Sequence, residues 1–145
     1  MSTIRVDNPT TVFLSVKRKD CELILKGIKT VEIRKSIPGH MLPPFKVLLF
    51  SAEGNKRDSS LPQRSVVGEC ICDRIERLFD NTMGDVRYHL PKSGECCMDE
   101  MQLTTYGSGK AVWGWHLSSI RQYKTPLDPE DLGITSLPRS WCYAW

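Results

Sequence analysis

No stretch of the 145-residue chain approaches the apolar length that a bilayer span requires, and Met1-Ser2-Thr3-Ile4-Arg5-Val6-Asp7-Asn8 lacks the apolar centre of a signal peptide. Neither a membrane protein nor an exported one is expected, and the cytoplasm is the expected location. Strong charge is missing too: 20 Lys and Arg against 17 Asp and Glu leave +3, too little by itself to announce nucleic-acid binding. There is no Cys-x-x-Cys pair. Cys70 and Cys72 stand one residue apart, Cys96 and Cys97 are adjacent, and Cys21 and Cys142 are isolated. That pattern fits neither common structural zinc sites nor the disulfide framework of a small secreted domain. The six are expected as buried free thiols, which pack as small hydrophobes. His40, His89 and His116 are scattered without metal spacing or a paired carboxylate, so each is read as a loop or surface residue; no metal and no cofactor is expected. Internal repeats and low-complexity segments are absent as well.

What is present suffices for one core. With 40% hydrophobic residues, residues 1–145 are read as a single domain. Val12-Phe13-Leu14-Ser15-Val16-Lys17 alternates an aliphatic side with one carrying Phe13, Ser15 and Lys17, as a strand does. Cys21, Ile24, Leu25 and Ile28 recur at helical spacing behind Asp20, which can cap a short helix, and Gly27 suits its left-handed stop. The strand that follows is able to lie beside the first. Residues 46–51 are apolar enough for a buried strand, and 54–60 read as a mobile polar loop that brings Lys56 and Arg57 within reach of a ligand.

Residues 65–78 are the longest β candidate, with Gly68 pointing to a bulge or bend; the Glu69 face is half exposed or Glu69 points into a polar cavity, and exposure is favoured, since a buried carboxylate needs partners. Residues 80–94 are turn-rich. A helix is predicted over 95–106, carrying Cys97, Met98, Met101 and Tyr106 against the sheet, and a strand over 111–123 with Trp113 and Trp115 in the core. Asp128 and Pro129 open a helical turn. The chain closes in an aromatic-rich strand at 137–145, where Trp141 or Trp145 is the aromatic placed to approach a cleft. Five or six strands, two or three short helices and no βα rhythm give an α+β domain around a small mixed or closed barrel, not a parallel winding.

The charge is unevenly placed. Residues 1–57 hold 11 Lys or Arg against 5 Asp or Glu, whereas residues 58–145 hold 9 against 12. The excess gathers around Lys17, Arg18, Lys19, Lys26, Lys29, Arg34 and Lys35, a local field that attracts phosphates. At its centre, Gly27-Ile28-Lys29-Thr30-Val31-Glu32-Ile33-Arg34 leaves a helix end and enters a strand. Val31 and Ile33 claim one face, so Thr30, Glu32 and Arg34 share the other, which is solvated surface, a salt-bridged barrel rim or the wall of a cleft. In a cleft, Lys29 and Arg34 can hold a phosphate or a base edge, the guanidinium offering a planar two-pronged donor. Glu32 can orient Arg34, accept from an exocyclic amine or act as a general base. Ser15 and Lys17 are candidates for the same wall, or for plain exposure.

The order Gly-x-Lys-x-x-Glu-x-Arg at 27–34 resembles the signature of the ASCH domain family, a branch of the PUA-like superfamily of small β-barrels. Phe13-Leu14-Ser15-Val16-Lys17 is similar to the family's first strand and Val66-Val67-Gly68-Glu69 to its central strand. Residues 115–123, followed by Pro126-Leu127 and Pro138-Arg139-Ser140-Trp141, are similar to its closing segment. The resemblance implies a PUA-like barrel with a cleft beside the first helix and, in general, binding of RNA or other nucleic acid; some members are similar to hydrolases of RNA or of modified nucleosides. One departure matters. The nucleoside-hydrolysing members resemble one another in a Lys with a Thr three residues on, but here Glu32 stands at the Thr position and Thr30 faces away from Lys29, so that mechanism does not transfer intact.

The resulting expectation is a domain that binds RNA or a nucleotide-like ligand, with Ser15, Lys17, Lys29, Thr30, Glu32, Arg34 and Arg139 as ligand-site candidates and Lys17, Arg34 and Arg139 on phosphates. The alternative is a hydrolase in the same cleft, ribonuclease or modified-nucleoside hydrolase, with Lys29 and Glu32 as catalytic candidates and Glu32 as base. A third reading is a protein-interaction module whose motif is purely structural.

Overall fold

Residues 10–53, 59–80, 87–88, 93–98, 102, 106 and 111–144 are described in a computed structural model. The elements in order are β1 (Thr11–Lys17), α1 (Arg18–Leu25), β2 (Val31–Arg34), β3 (Phe45–Ala52), β4 (Ser65–Asp80), the two-residue β5 (Arg87–Tyr88), α2 (Ser93–Cys96), β6 (Val112–Leu127), a 3-10 turn (Pro129–Leu132) and β7 (Trp141–Ala144). They build one mixed sheet in the order β2-β6-β4-β3-β1-β7, with β5 on β4. All its pairings are antiparallel except that of β1 with β3. The result is an α+β half-barrel.

Period-two alternation explains how one sheet carries a core on both faces. Val12, Leu14 and Val16 of β1 join Val47, Leu49, Trp115 and α1's Cys21 and Ile24 in one buried cluster. Phe13 points the other way, into a cluster with Leu48, Phe50 and Val66. A strand so apolar on both faces belongs inside a sheet, and both edges of β1 are occupied, by β3 and β7. This corrects the expectation that β1 and β2 lie side by side: β2, with two charges among four residues, sits at the sheet's end against β6, pairing Glu32 with Trp115 and Arg34 with Trp113.

Gly68 marks a bulge. Leu49 stands opposite Gly68 but Phe50 opposite Val66, leaving Val67 extra in the ladder. A Cβ at position 68 would lie 2.5 Å from the Arg121 carbonyl oxygen and 2.9 Å from Leu25 Cδ2. The strands curl closely there, and only glycine leaves room.

Several local expectations change. Helix α1 begins at Arg18, so Asp20 lies in its first turn and caps nothing. Gly27 does take the left-handed conformation, at φ 74°. The helix predicted over 95–106 is interrupted: α2 ends at Cys96, where Cys97 is left-handed at φ 58°, and Gln102 and Tyr106 are again helical; most of the remainder, like Lys56, Arg57, His89, Met101 and Trp145, lies outside the described residues. Cys97 is exposed and Cys142 half-buried, while Cys21, Cys70, Cys72 and Cys96 are buried, and all six are free. Strand β6 runs on to Leu127. Trp115 is wholly buried, but Trp113 is only partly so, with Arg77 lying 5.4 Å from its ring centroid. His116 is not without a carboxylate, since its Nε2 is 3.4 Å from Glu76 Oε1. No helix among the described residues is long and apolar enough to cross a membrane.

Candidate functional site

Strand β7 covers β1 only from Thr11 to Leu14. Beyond that, the Ser15 amide donates to the Ser140 carbonyl at 2.8 Å, and the sheet then stays open between the end of β1 and β2. The charged motif fills this seam. Gly27's left-handed turn reverses the chain so that the Ile28 and Lys29 amides both donate to the Leu23 carbonyl, at 3.0 and 3.1 Å. Lys29 is thereby tucked under the helix with 3% of its surface exposed. Its Nζ lies 3.4 Å from Asp20 Oδ1 and 3.5 Å from Glu32 Oε1. Arg34, two residues along the same strand face as Glu32, brings Nε to 3.7 Å from that same Oε1. Its Nη2 donates to the Ser15 carbonyl at 2.6 Å and its Nη1 to Ser140 Oγ at 3.2 Å. The guanidinium thus replaces the missing backbone ladder across the seam.

The bonding is incomplete. Glu32 Oε2 and Arg34 Nε are buried with no hydrogen-bond partner among the described residues. Orphaned buried polar atoms are costly, of order 1–3 kcal/mol each, so an acceptor and a donor without hydrogen bonds on two residues that line one cleft suggest groups kept for a ligand.

These side chains open onto a cavity of about 220 Å³, lined by Ser15, Lys17, Asp20, Lys29, Glu32, Ile33, Arg34, Ala52, Met98, Tyr106 and Arg139. Six of the seven residues singled out in the sequence line it. Thr30 does not: it is exposed, its carbonyl accepts from the Leu117 amide and its amide donates to the Glu95 carbonyl, both at 2.8 Å. Asp20, Met98 and Tyr106 also line the cavity, and Ser140 braces Arg34; sequence reasoning places none of them there. Asp20 carries a cap's signal and the other two an apolar helix face, while Ser140 reaches the site from 106 residues away. Burial raises the Tyr106 phenol above its usual value; Arg34 and Lys29 pull it back and Glu32 pushes it further. Lys35 Nζ stands 4.6 Å from the Tyr106 ring centroid. Behind the floor, burial first and then the Glu32 and Asp20 charges push the Cys21 thiol up to about 12, which leaves no thiolate nucleophile there at neutral pH. Among the described residues, no three His, Cys, Asp or Glu side chains gather as a metal site.

Larger, at about 520 Å³, is a groove over β4 and β6 lined by Glu69, Tyr123, Leu127 and residues 121–125 between them. Glu69 is neither loose surface nor bare: it keeps 21% side-chain exposure, accepts from the Tyr123 hydroxyl at 2.9 Å and lies 3.4 Å from Lys46 Nζ.

A half-open α+β barrel with a buried charged motif in its seam is a recognisable class. No protein-family model and no curated protein matches the chain. Solved structures do. It is similar to the crystal structure of ASCH from Zymomonas mobilis, at TM-score 0.69 and 20% identity, over 94% of this chain and 88% of that one. A serine-to-alanine variant of that protein gives TM-score 0.70 and 20% identity over 95% and 90% of the two chains, and a tyrosine-to-phenylalanine variant gives 0.69 and 22% over 94% and 91%. The chain has the ASCH fold.

Proposed function

We propose that the seam cleft binds RNA or a nucleotide-like ligand, with Lys17 and Arg139 meeting phosphate at the rim. One observation carries this reading. Lys17 and Arg139 line the cavity as exposed cations without an ion-pair partner among the described residues, above a floor whose Lys29 and Arg34 are already engaged. Four cations against two carboxylates give the cleft a positive field. The ASCH fold supports the reading, because the family that the 27–34 signature resembles is expected to act on nucleic acid. A volume of about 220 Å³ is below the roughly 300–1,000 Å³ of typical small-molecule clefts and suits one residue of a longer chain.

Hydrolysis has less behind it. Glu32 is held by two cations, and no histidine among the described residues lines the cavity. The test is the affinity for a short single-stranded RNA as a function of salt. Wild type should bind with a steep salt dependence, and Lys17→Ala with Arg139→Ala should lower the logarithmic slope by about 0.7 for each phosphate that is no longer held. No binding at low ionic strength, or a slope indifferent to both substitutions, sinks the proposal.

A further inference from the structure

The charges of the cleft are layered, and the layering bears on which end of a nucleotide goes in. Toward solvent stand the exposed cations Lys17 and Arg139, while the half-exposed Asp20 is turned to Lys29. On the floor stands Glu32, 5% exposed, whose Oε2 has no hydrogen-bond partner among the described residues; Arg34 Nε, 3.7 Å from Oε1, makes no hydrogen bond there either. A phosphate driven to that floor would meet a buried carboxylate, and like charges at close range in a partly dehydrated site repel strongly. It would also leave Oε2 without a donor, since a phosphate dianion has none to give. A nucleobase fits both conditions. Each base presents a donor next to an acceptor on its pairing edge, which matches Glu32 Oε2 as acceptor and Arg34 Nε–H as donor. Its flat faces are apolar, and Met98, Ile33 and the Tyr106 ring supply apolar wall.

We infer that the cleft takes an unpaired nucleotide base-first, reading the pairing edge with Glu32 and Arg34 while its phosphates stay at Lys17 and Arg139. This rests on the nucleotide-binding reading and narrows it to single strands, loops or extruded bases, because a base within a duplex has its pairing edge already occupied.

The experiment uses the whole chain and four probes: a short single-stranded oligoribonucleotide, the same sequence as a duplex, the same strand with abasic positions, and free nucleosides. Base-first entry predicts that the single strand binds about tenfold or more tighter than the duplex or the abasic strand. Uncharged nucleosides should bind with little dependence on salt, and Glu32→Gln should weaken the single strand without weakening the abasic strand, which gains from the lost negative charge. A melting curve checks that this variant folds; the wild-type comparison stands without it. Equal affinity for base-bearing and abasic strands overturns the inference but leaves phosphate-led RNA binding intact. Nucleosides that bind where every polymer fails support base-first entry and overturn the RNA reading instead. Failure of nucleosides and polymers alike overturns both.

Discussion

Glu32 in the seam cleft and Glu69 in the groove over β4 and β6 are both strand carboxylates with a lysine 3.5 and 3.4 Å away, but they are finished differently. Glu69 uses both oxygens, one for the Tyr123 hydroxyl and one for Lys46, and its lysine is 44% exposed. Glu32 turns one oxygen to two cations that are 3% and 11% exposed, and leaves the other without a hydrogen-bond partner among the described residues. The groove is the larger concavity, yet its carboxylate is fully partnered and its ion pair lies mostly in water. The cleft is less than half the volume and its chemistry is unfinished. Burial and unmet bonding, not volume, single out the site.

The sharpest way to break this contrast is to remove each carboxylate. Glu32→Ala would leave Lys29 buried with only the half-exposed Asp20, and Arg34 with its Nε unopposed. Loss of one partner from a buried ion pair costs about 3–5 kcal/mol, to be read from denaturant unfolding. Glu69→Ala would free a lysine and a phenol that solvent can reach, for about 0–1 kcal/mol. Equal losses would mean that the two sites are alike and that the Lys29–Glu32–Arg34 network has no special standing.

A second contrast sharpens the comparison by affinity. Arg121 and Lys124 are the groove's counterparts to Lys17 and Arg139. Arg121→Ala with Lys124→Ala should leave the salt slope of RNA binding unchanged, where the cleft pair lowers it by about 0.7 per phosphate. If the groove pair has the larger effect, the nucleic acid lies over β6 and the seam is a structural closure.

Local physics makes much of this legible in the sequence. The alternation in 12–17, the left-handed stop at Gly27, the bulge at Gly68 and the Asp128-Pro129 turn each follow from a residue and its near neighbours. That turn has Asp128 Oδ1 accepting from the Glu130 amide at 3.0 Å and closes at Gly133 with φ 77°. The shared face of Glu32 and Arg34 follows from strand periodicity alone. What stays hidden depends on partners distant in the chain. That β2 pairs with β6, more than 80 residues on, and not with β1, is decided by which strands need burial on both faces. Ser140, Tyr106 and Met98 reach the cleft by that long-range folding, and nothing in their neighbours' spacing marks them. Asp20 misleads because a capping aspartate and an aspartate inside a helix's first turn look alike until the helix start is known.

The two tyrosines give the smallest and finest test. Burial raises both phenols, but the neighbours then differ in sign: in the groove the Glu69 hydrogen bond and charge add to burial and take Tyr123 up to about 12 despite some relief from Arg121, whereas in the cleft Arg34 and Lys29 oppose it at Tyr106. A phenol whose value is raised on folding stabilises the native state fully below its ordinary value of 10.0. That contribution is lost as pH rises from there through about 12, because the unfolded chain has already given up its proton. Tyr123→Phe should therefore remove the latest step in the phenolate absorbance titration and flatten the decline of stability between those two values, and Glu69→Gln should move that step earlier. Tyr106→Phe should leave the latest step in place, and Arg34→Ala, if folded, should move the Tyr106 step later as the cation that opposes burial is lost. A latest step that belongs to Tyr106 would mean that the cleft's net field at its wall is set by Glu32 and not by its cations. The positive cleft on which phosphate binding depends would then be wrong at the residue nearest to it.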